Sequence, residues 1–234
     1  MIKAVIFDFN GAIINDEPIH QQLIEEILLE ENLVLKRGEY RKTCLGCSDR
    51  ACLRNLLASR GRVASEEYLT KLQQKKARNY VEQIETLEKL PLYPGLTDFI
   101  FKIRSSDLKL AIVSGAIRQE IELVLKRAEL AEFFQIIIAS DDITTAKPKP
   151  DGYLLALERL NQKYPELNLQ ANECLAIEDT LAGVEAAKAA GMKVVGVANT
   201  YPYHMLHRQS DWTVDYLNEL ELERIQQLYS PEDE

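Results

Sequence analysis

The sequence predicts an α/β fold, a doubly wound parallel sheet carrying an inserted helical cap, and three observations lead there. Short apolar runs recur along the chain and are apolar nearly throughout, as strands covered on both faces require. Amphipathic helical stretches separate them, and strand–helix–strand repetition implies parallel strands joined by crossovers. One segment, roughly residues 15–90, breaks the rhythm with helix pattern alone.

Taken in order, the first strand is Ile2–Phe7. The helical segment then starts at Asp16-Glu17-Pro18, with acids in its first turn and Pro near N1. It ends around Pro91-Leu92-Tyr93-Pro94-Gly95, a turn-forming run. Leu108–Val113 is the second strand, followed by a helix over Ile117–Ala128 whose Ile121 and Leu125 read as core. Ile136–Ala139, Cys174–Ile177 and Val194–Val197 continue the sheet, with helices over Asp151–Leu160 and Thr180–Ala190 between them. Trp212-Thr213-Val214 adds an edge strand, and the acidic tail Ser230–Glu234 is expected to fray. His204 and His207, at helical spacing without a third ligand, read as a surface helix. The basic stretch Lys71–Arg78 reads as a solvated face.

Composition narrows the function classes. The 234 residues are 46% hydrophobic and 28% charged, enough apolar material for a large core. With 28 Lys+Arg against 37 Asp+Glu, the net charge of −9 gives no global reason to seek nucleic acid or an anionic membrane. No apolar run reaches bilayer length, and the start lacks the pattern of a signal peptide. Cys44 and Cys47 form a lone C-x-x-C, and Cys52 and Cys174 stand apart. Reduced cysteines in a cytoplasmic monomer are therefore the expectation.

The sharpest signal lies just past the strands. The first ends in Asp8-Phe9-Asn10-Gly11 and the second in Ser114-Gly115-Ala116. The loop after the third carries Lys147-Pro148-Lys149-Pro150, and the fourth ends in Glu178-Asp179. A parallel sheet gathers all of these on one edge, where such folds bind ligands. A carboxylate, a hydroxyl with free N–H groups, an ammonium and an acidic pair together suit a divalent cation and a phosphate. Each alone has a plainer reading as a cap, a turn or a solvated lysine.

These stretches resemble the haloacid dehalogenase superfamily of hydrolases across almost the whole chain. The resemblance is strongest to its helical-cap branch, which holds β-phosphoglucomutase and the phosphoglycolate phosphatases. Val5-Ile6-Phe7-Asp8-Phe9-Asn10-Gly11, Val113-Ser114-Gly115-Ala116, Lys147-Pro148-Lys149-Pro150-Asp151 and Ile177-Glu178-Asp179-Thr180-Leu181-Ala182-Gly183 carry it. Asn15–His20 resembles that branch's approach to the cap, and Leu45–Arg50 its cap specificity loop, which makes His20 and Arg50 substrate-side candidates. The resemblance implies a core of residues 1–14 and 91–234 and a cap of 15–90. It implies Asp8 as nucleophile, Ser114, Gly115 and Lys147 as phosphate-binding groups, and Mg²⁺ held by Asp8, the Asn10 carbonyl, Glu178 and Asp179. The expected partner is a small phosphorylated metabolite such as a sugar phosphate, with neither nucleic acid nor membrane involved.

One position departs from the family pattern. Its phosphatases and mutases carry a second Asp two residues after the nucleophile, as general acid and base, and this chain has Asn10. An amide cannot trade a proton, and losing a general acid costs about 10²–10⁴-fold. Alkyl phosphates suffer most. The alternatives are therefore a mutase, which needs that acid twice, or a weak metal- and phosphate-binding relative. His20, near the approach to the cap, reads either as a group that supplies part of the lost function or as a cap histidine that satisfies a backbone group.

Overall fold

The structure, a computed structural model, describes residues 1–229, so the expected fraying of Ser230–Glu234 lies outside the described residues. The chain opens with β1 (Ala4–Phe7), then α1 (Glu17–Glu30), α2 (Glu39–Thr43), α3 (Asp49–Ala58) and α4 (Glu66–Thr86). After α5 (Leu96–Ser105) come β2 (Lys109–Val113), α6 (Arg118–Arg127), β3 (Ile136–Ile138) and α7 (Asp151–Lys163). It closes with β4 (Cys174–Glu178), α8 (Leu181–Ala189), β5 (Lys193–Val197), α9 (Tyr203–Leu206), β6 (Trp212–Val214) and α10 (Leu222–Leu228).

The six strands form one parallel sheet in the order β3-β2-β1-β4-β5-β6. Apolar residues on successive positions feed opposite faces, because side chains alternate along a strand. Val5, Phe7, Leu110, Ile112, Leu175 and Ile177 join the core packed by α5, α6 and α10. Ala4, Ile6, Ala111, Val113 and Ala176 join the opposite core with α7 and α8. Strand order reverses between β1 and β4, which opens a crevice beyond their C-terminal ends.

Helices α1–α4 have a core of their own, built from Ile24, Ile27, Leu53, Leu56, Leu69 and Leu72. Their base, through Leu23, Tyr80 and Ile84, merges with the sheet core. The chain leaves and re-enters by adjacent segments: Asn15 N–H donates to Pro91 O at 2.8 Å, and Tyr93 N–H to Ile13 O at 3.1 Å. His204 on α9 and His207 just past its end are both exposed.

Two expectations are corrected. Cys44 and Cys52 form a disulfide, with Cα atoms 4.5 Å apart, while Cys47 and Cys174 stay free. Gly46, at φ +76°, turns the chain so that the first turn of α3 returns to the end of α2. Cys44 thereby meets Cys52 rather than its C-x-x-C neighbour. The basic stretch 71–78 is not wholly solvated either, because Lys76 is completely buried. It lies on the apolar stripe of α4 with Leu69, Leu72 and Tyr80.

Candidate active site

The crevice is a cleft of about 560 Å³ between the sheet's edge and α1–α4. Asp8, Asn10, Ser114, Gly115, Lys147 and Asp179 line it from the sheet, and His20 and Arg50 from the helices. Glu178 sits directly beneath, fully buried.

Asp8 ends the central strand, and its Oδ1 accepts from the Phe9 N–H at 2.7 Å. Lys147 Nζ bridges two carboxylates, 2.9 Å from Asp8 Oδ1 and 2.6 Å from Glu178 Oε1. Glu178 Oε1 also accepts from the Tyr153 hydroxyl at 2.5 Å. Thr180 caps α8 by accepting from the Gly183 N–H at 3.1 Å. The site is so tight that a Cβ on Gly183 would lie 1.9 Å from Glu178 Oε2. A Cβ on Gly11, at φ +83°, would lie 1.8 Å from Asp179 Oδ2.

Charge here is incompletely balanced. Burial pushes the Asp8 carboxyl up to about 7 despite the opposing pull of Lys147, with Glu178 adding to the rise. Burial, then Asp8 and Glu178, raise Asp179 well above the usual carboxylate range. Burial would lower the Lys147 ammonium, but its two carboxylates hold it above its ordinary value. Asp179 Oδ1 is buried with no hydrogen-bond partner. Oxygen atoms of Asp8, Glu178 and Asp179 lie within 4.8 Å of one another. Three converging carboxylates with one orphaned oxygen fit a hard divalent cation. Ser114 Oγ accepts from the Ala116 N–H at 3.0 Å, which leaves its O–H to donate elsewhere.

The side chain of Asn10 turns toward the helices. Its Nδ2 lies 3.0 Å from both oxygens of Asp16 and 3.0 Å from His20 Nε2. Asp16 also accepts from the Tyr80 hydroxyl at 2.5 Å and lies 3.2 Å from His20 Nε2. Burial would raise the Asp16 carboxyl, yet His20 with the Tyr80 and Asn10 hydrogen bonds holds it low. Lys76 Nζ lies 2.6 Å from His20 Nδ1 and 2.7 Å from Asp49 Oδ2. An ammonium only donates, so His20 Nδ1 accepts and the ring proton sits on Nε2, toward Asp16. Arg50 reaches the cleft wall, but its guanidinium binds Glu66 and Thr70, each at 2.7 Å.

Sequence reasoning missed Lys76, Tyr153 and Glu120. Lys76 and Glu120 occupy apolar-stripe positions of α4 and α6, a charge-on-the-core-face signal readable from helical spacing. From sequence alone Asp16 marks only a helix start. It occupies the N-cap position, but its side chain caps nothing and serves this network instead.

The profile of a family described as haloacid dehalogenase-like hydrolase matches residues 5–197, and the chain belongs to that family. A phosphorylated carbohydrates phosphatase of Thermotoga maritima is 27% identical over 201 residues, covering 85% of this chain and 87% of its own. Among solved structures, a β-phosphoglucomutase from Clostridium difficile superposes with TM-score 0.85 at 25% identity, over 98% of this chain and 97% of its own. An Asp-to-Asn variant of CbbY from Rhodobacter sphaeroides, in complex with xylulose-1,5-bisphosphate, gives 0.82 at 25% identity, over 94% and 97%.

Proposed function

We propose that this haloacid dehalogenase-like hydrolase is a Mg²⁺-assisted phosphatase of a small phosphorylated metabolite, sugar-like in character, working through phosphorylation of Asp8. In this reading residues 15–90 act as a cap over a core of 1–14 and 91–234. The observation that carries it is Asp8 at the end of the central strand, held 2.9 Å from Lys147 beside Asp179, whose Oδ1 has no hydrogen-bond partner. The relative that acts on phosphorylated carbohydrates and the neighbour holding a sugar bisphosphate support the substrate class.

Asp8, Glu178, Asp179 and the Asn10 carbonyl would hold the cation, whose oxygen-only donor set suits Mg²⁺. When bound, Mg²⁺ supplies charge that lets a carboxylate approach an anionic phosphoryl group. Asp8 attacks phosphorus, an Asp8 oxygen–phosphorus bond forms, and the ester oxygen leaves. The Ser114 hydroxyl and nearby N–H groups bind the phosphoryl oxygens, and Lys147 neutralises charge growing on them. Water then cleaves the acyl phosphate and frees Asp8. The departing oxygen needs a proton that Asn10 lacks, so esters with acidic leaving groups turn over best.

A second reading is favoured by that same residue. With its amide bonded to Asp16, Asn10 leaves a protein that binds cation and phosphate with little turnover. The deciding experiment is Mg²⁺-dependent phosphate release from an aryl phosphate and a panel of sugar phosphates, beside the Asp8→Asn variant. Aryl hydrolysis that disappears in Asp8→Asn supports the phosphatase. Phosphate binding without hydrolysis of either ester supports the binder, and unchanged hydrolysis in Asp8→Asn refutes the nucleophile.

A further inference from the structure

Glu120 lies in the first turn of α6, just past the Ser114–Gly115 loop, and it lines the cleft. It is 1% exposed, and neither carboxylate oxygen has a hydrogen-bond partner. The cation that acts on it most strongly, Lys76, already serves Asp49 and His20. A buried, unpaired carboxylate is costly, and this one belongs to the wall of the cleft. In its ionised form it only accepts, so the group that satisfies it there must donate.

The lining of the cleft as a whole agrees. Beyond Asp8, Lys147 and Asp179, its carboxylates and cations are Glu17, Asp49, Glu120 and Asp141 against Arg50 and Lys149, with Asp49 paired to the buried Lys76. Arg50 is engaged with Glu66 and Thr70, and Lys149 is exposed on its loop. Glu17 already accepts from the Tyr40 hydroxyl at 2.5 Å. A second phosphate placed there would face more acid than base.

Resting on the phosphatase reading, we infer that the substrate is a monophosphate whose leaving group carries hydrogen-bond donors, and that Glu120 is the specificity residue receiving them. Hydroxyls and an ammonium share this donor chemistry. A bisphosphate is selected against, unlike the ligand held by the CbbY neighbour.

The test is calorimetric titration of the Mg²⁺-loaded full chain. Its ligands are inorganic phosphate, glycerol 3-phosphate, ribose 5-phosphate, glucose 6-phosphate, glucosamine 6-phosphate and fructose 1,6-bisphosphate. At least one monophosphate should bind about tenfold or more tightly than phosphate, and the bisphosphate no more tightly than the best monophosphate. Glu120→Gln should lower the monophosphate-to-phosphate affinity ratio by about tenfold while raising the bisphosphate's relative standing. A merely structural Glu120 would not move those two ratios in opposite directions. A glucosamine phosphate preferred about tenfold over its glucose counterpart assigns an ammonium, and parity assigns hydroxyls. A bisphosphate that binds best in the unmodified chain overturns the inference without any variant, as does a panel in which no monophosphate exceeds phosphate. Aryl phosphate hydrolysis, measured in parallel, presents no donor to Glu120, so its absence counts against the phosphatase reading alone.

Discussion

The two ends of the cleft are built on different principles. At the strand ends the buried charged groups pair with one another except at Asp179 Oδ1, and two glycines leave no room for change: Lys147 binds Asp8 and Glu178, and Gly11 and Gly183 abut Asp179 and Glu178. At the helical end the polar groups come from five separate stretches of chain, around residues 10, 16–20, 49, 76 and 120. There Asn10, Asp16, His20, Lys76 and Asp49 pair among themselves, and Glu120 is left over. A sheet fixes its edge groups through backbone register. A helical wall fixes its groups only through mutual hydrogen bonds, and it is free to vary what it presents.

That contrast can be broken most strongly at the residue where the two ends meet. Asn10→Asp should raise turnover of alkyl phosphates by about 10²-fold or more and barely change that of aryl phosphates, read by steady-state phosphate release. No gain with any alkyl ester would show that the missing acid is not what limits this chain. Next in size is Gly183→Ala, whose Cβ has only 1.9 Å to Glu178 Oε2. It should weaken Mg²⁺ binding about 10–100-fold by calorimetry, because the carboxylate must move.

The helical end should answer in stability rather than chemistry. Burial, opposed by Lys76 and reinforced by Asp49, raises the Glu120 carboxyl from its ordinary 4.5 to about 7, with His20 and Asp16 also facing it. A proton is therefore taken up on folding between those values, and stability is lost as pH rises through that window. Glu120→Gln should remove this loss, gaining roughly 3 kcal/mol at pH 8 and nothing near pH 4.5. The reading is the difference in thermal unfolding of the two metal-free proteins, in which titrations of the shared carboxylates cancel. Smallest of all is Arg50→Ala. Its guanidinium already binds Glu66 and Thr70, so KM for the best monophosphate should change by less than about threefold.

The same division explains what was legible in the sequence. Apolar runs such as Val5–Phe7 and Leu175–Ile177 identify strands covered on both faces, and a parallel sheet then brings Asp8, Ser114, Lys147 and Asp179 to one edge. The helical wall has no such rule. Lys76 looked like part of a solvated basic stretch, although its place on the stripe of Leu69, Leu72 and Tyr80 marks an inward side chain. Glu120 carries the same mark beside Ile121, Val124 and Leu125. The Cys44–Cys52 bond escaped because C-x-x-C spacing draws attention to Cys47, and only the turn at Gly46 selects Cys52.

The Asn10 amide has a mechanical consequence as well. Asn10 follows β1 and Asp16 precedes α1, so the 3.0 Å contacts between them brace the short segment by which the chain passes from sheet to helices. A carboxylate at position 10 would set two anions face to face and push that segment apart unless they shared a proton. With asparagine the brace forms without one, so the amide that cannot trade a proton instead ties down the path from β1 into α1.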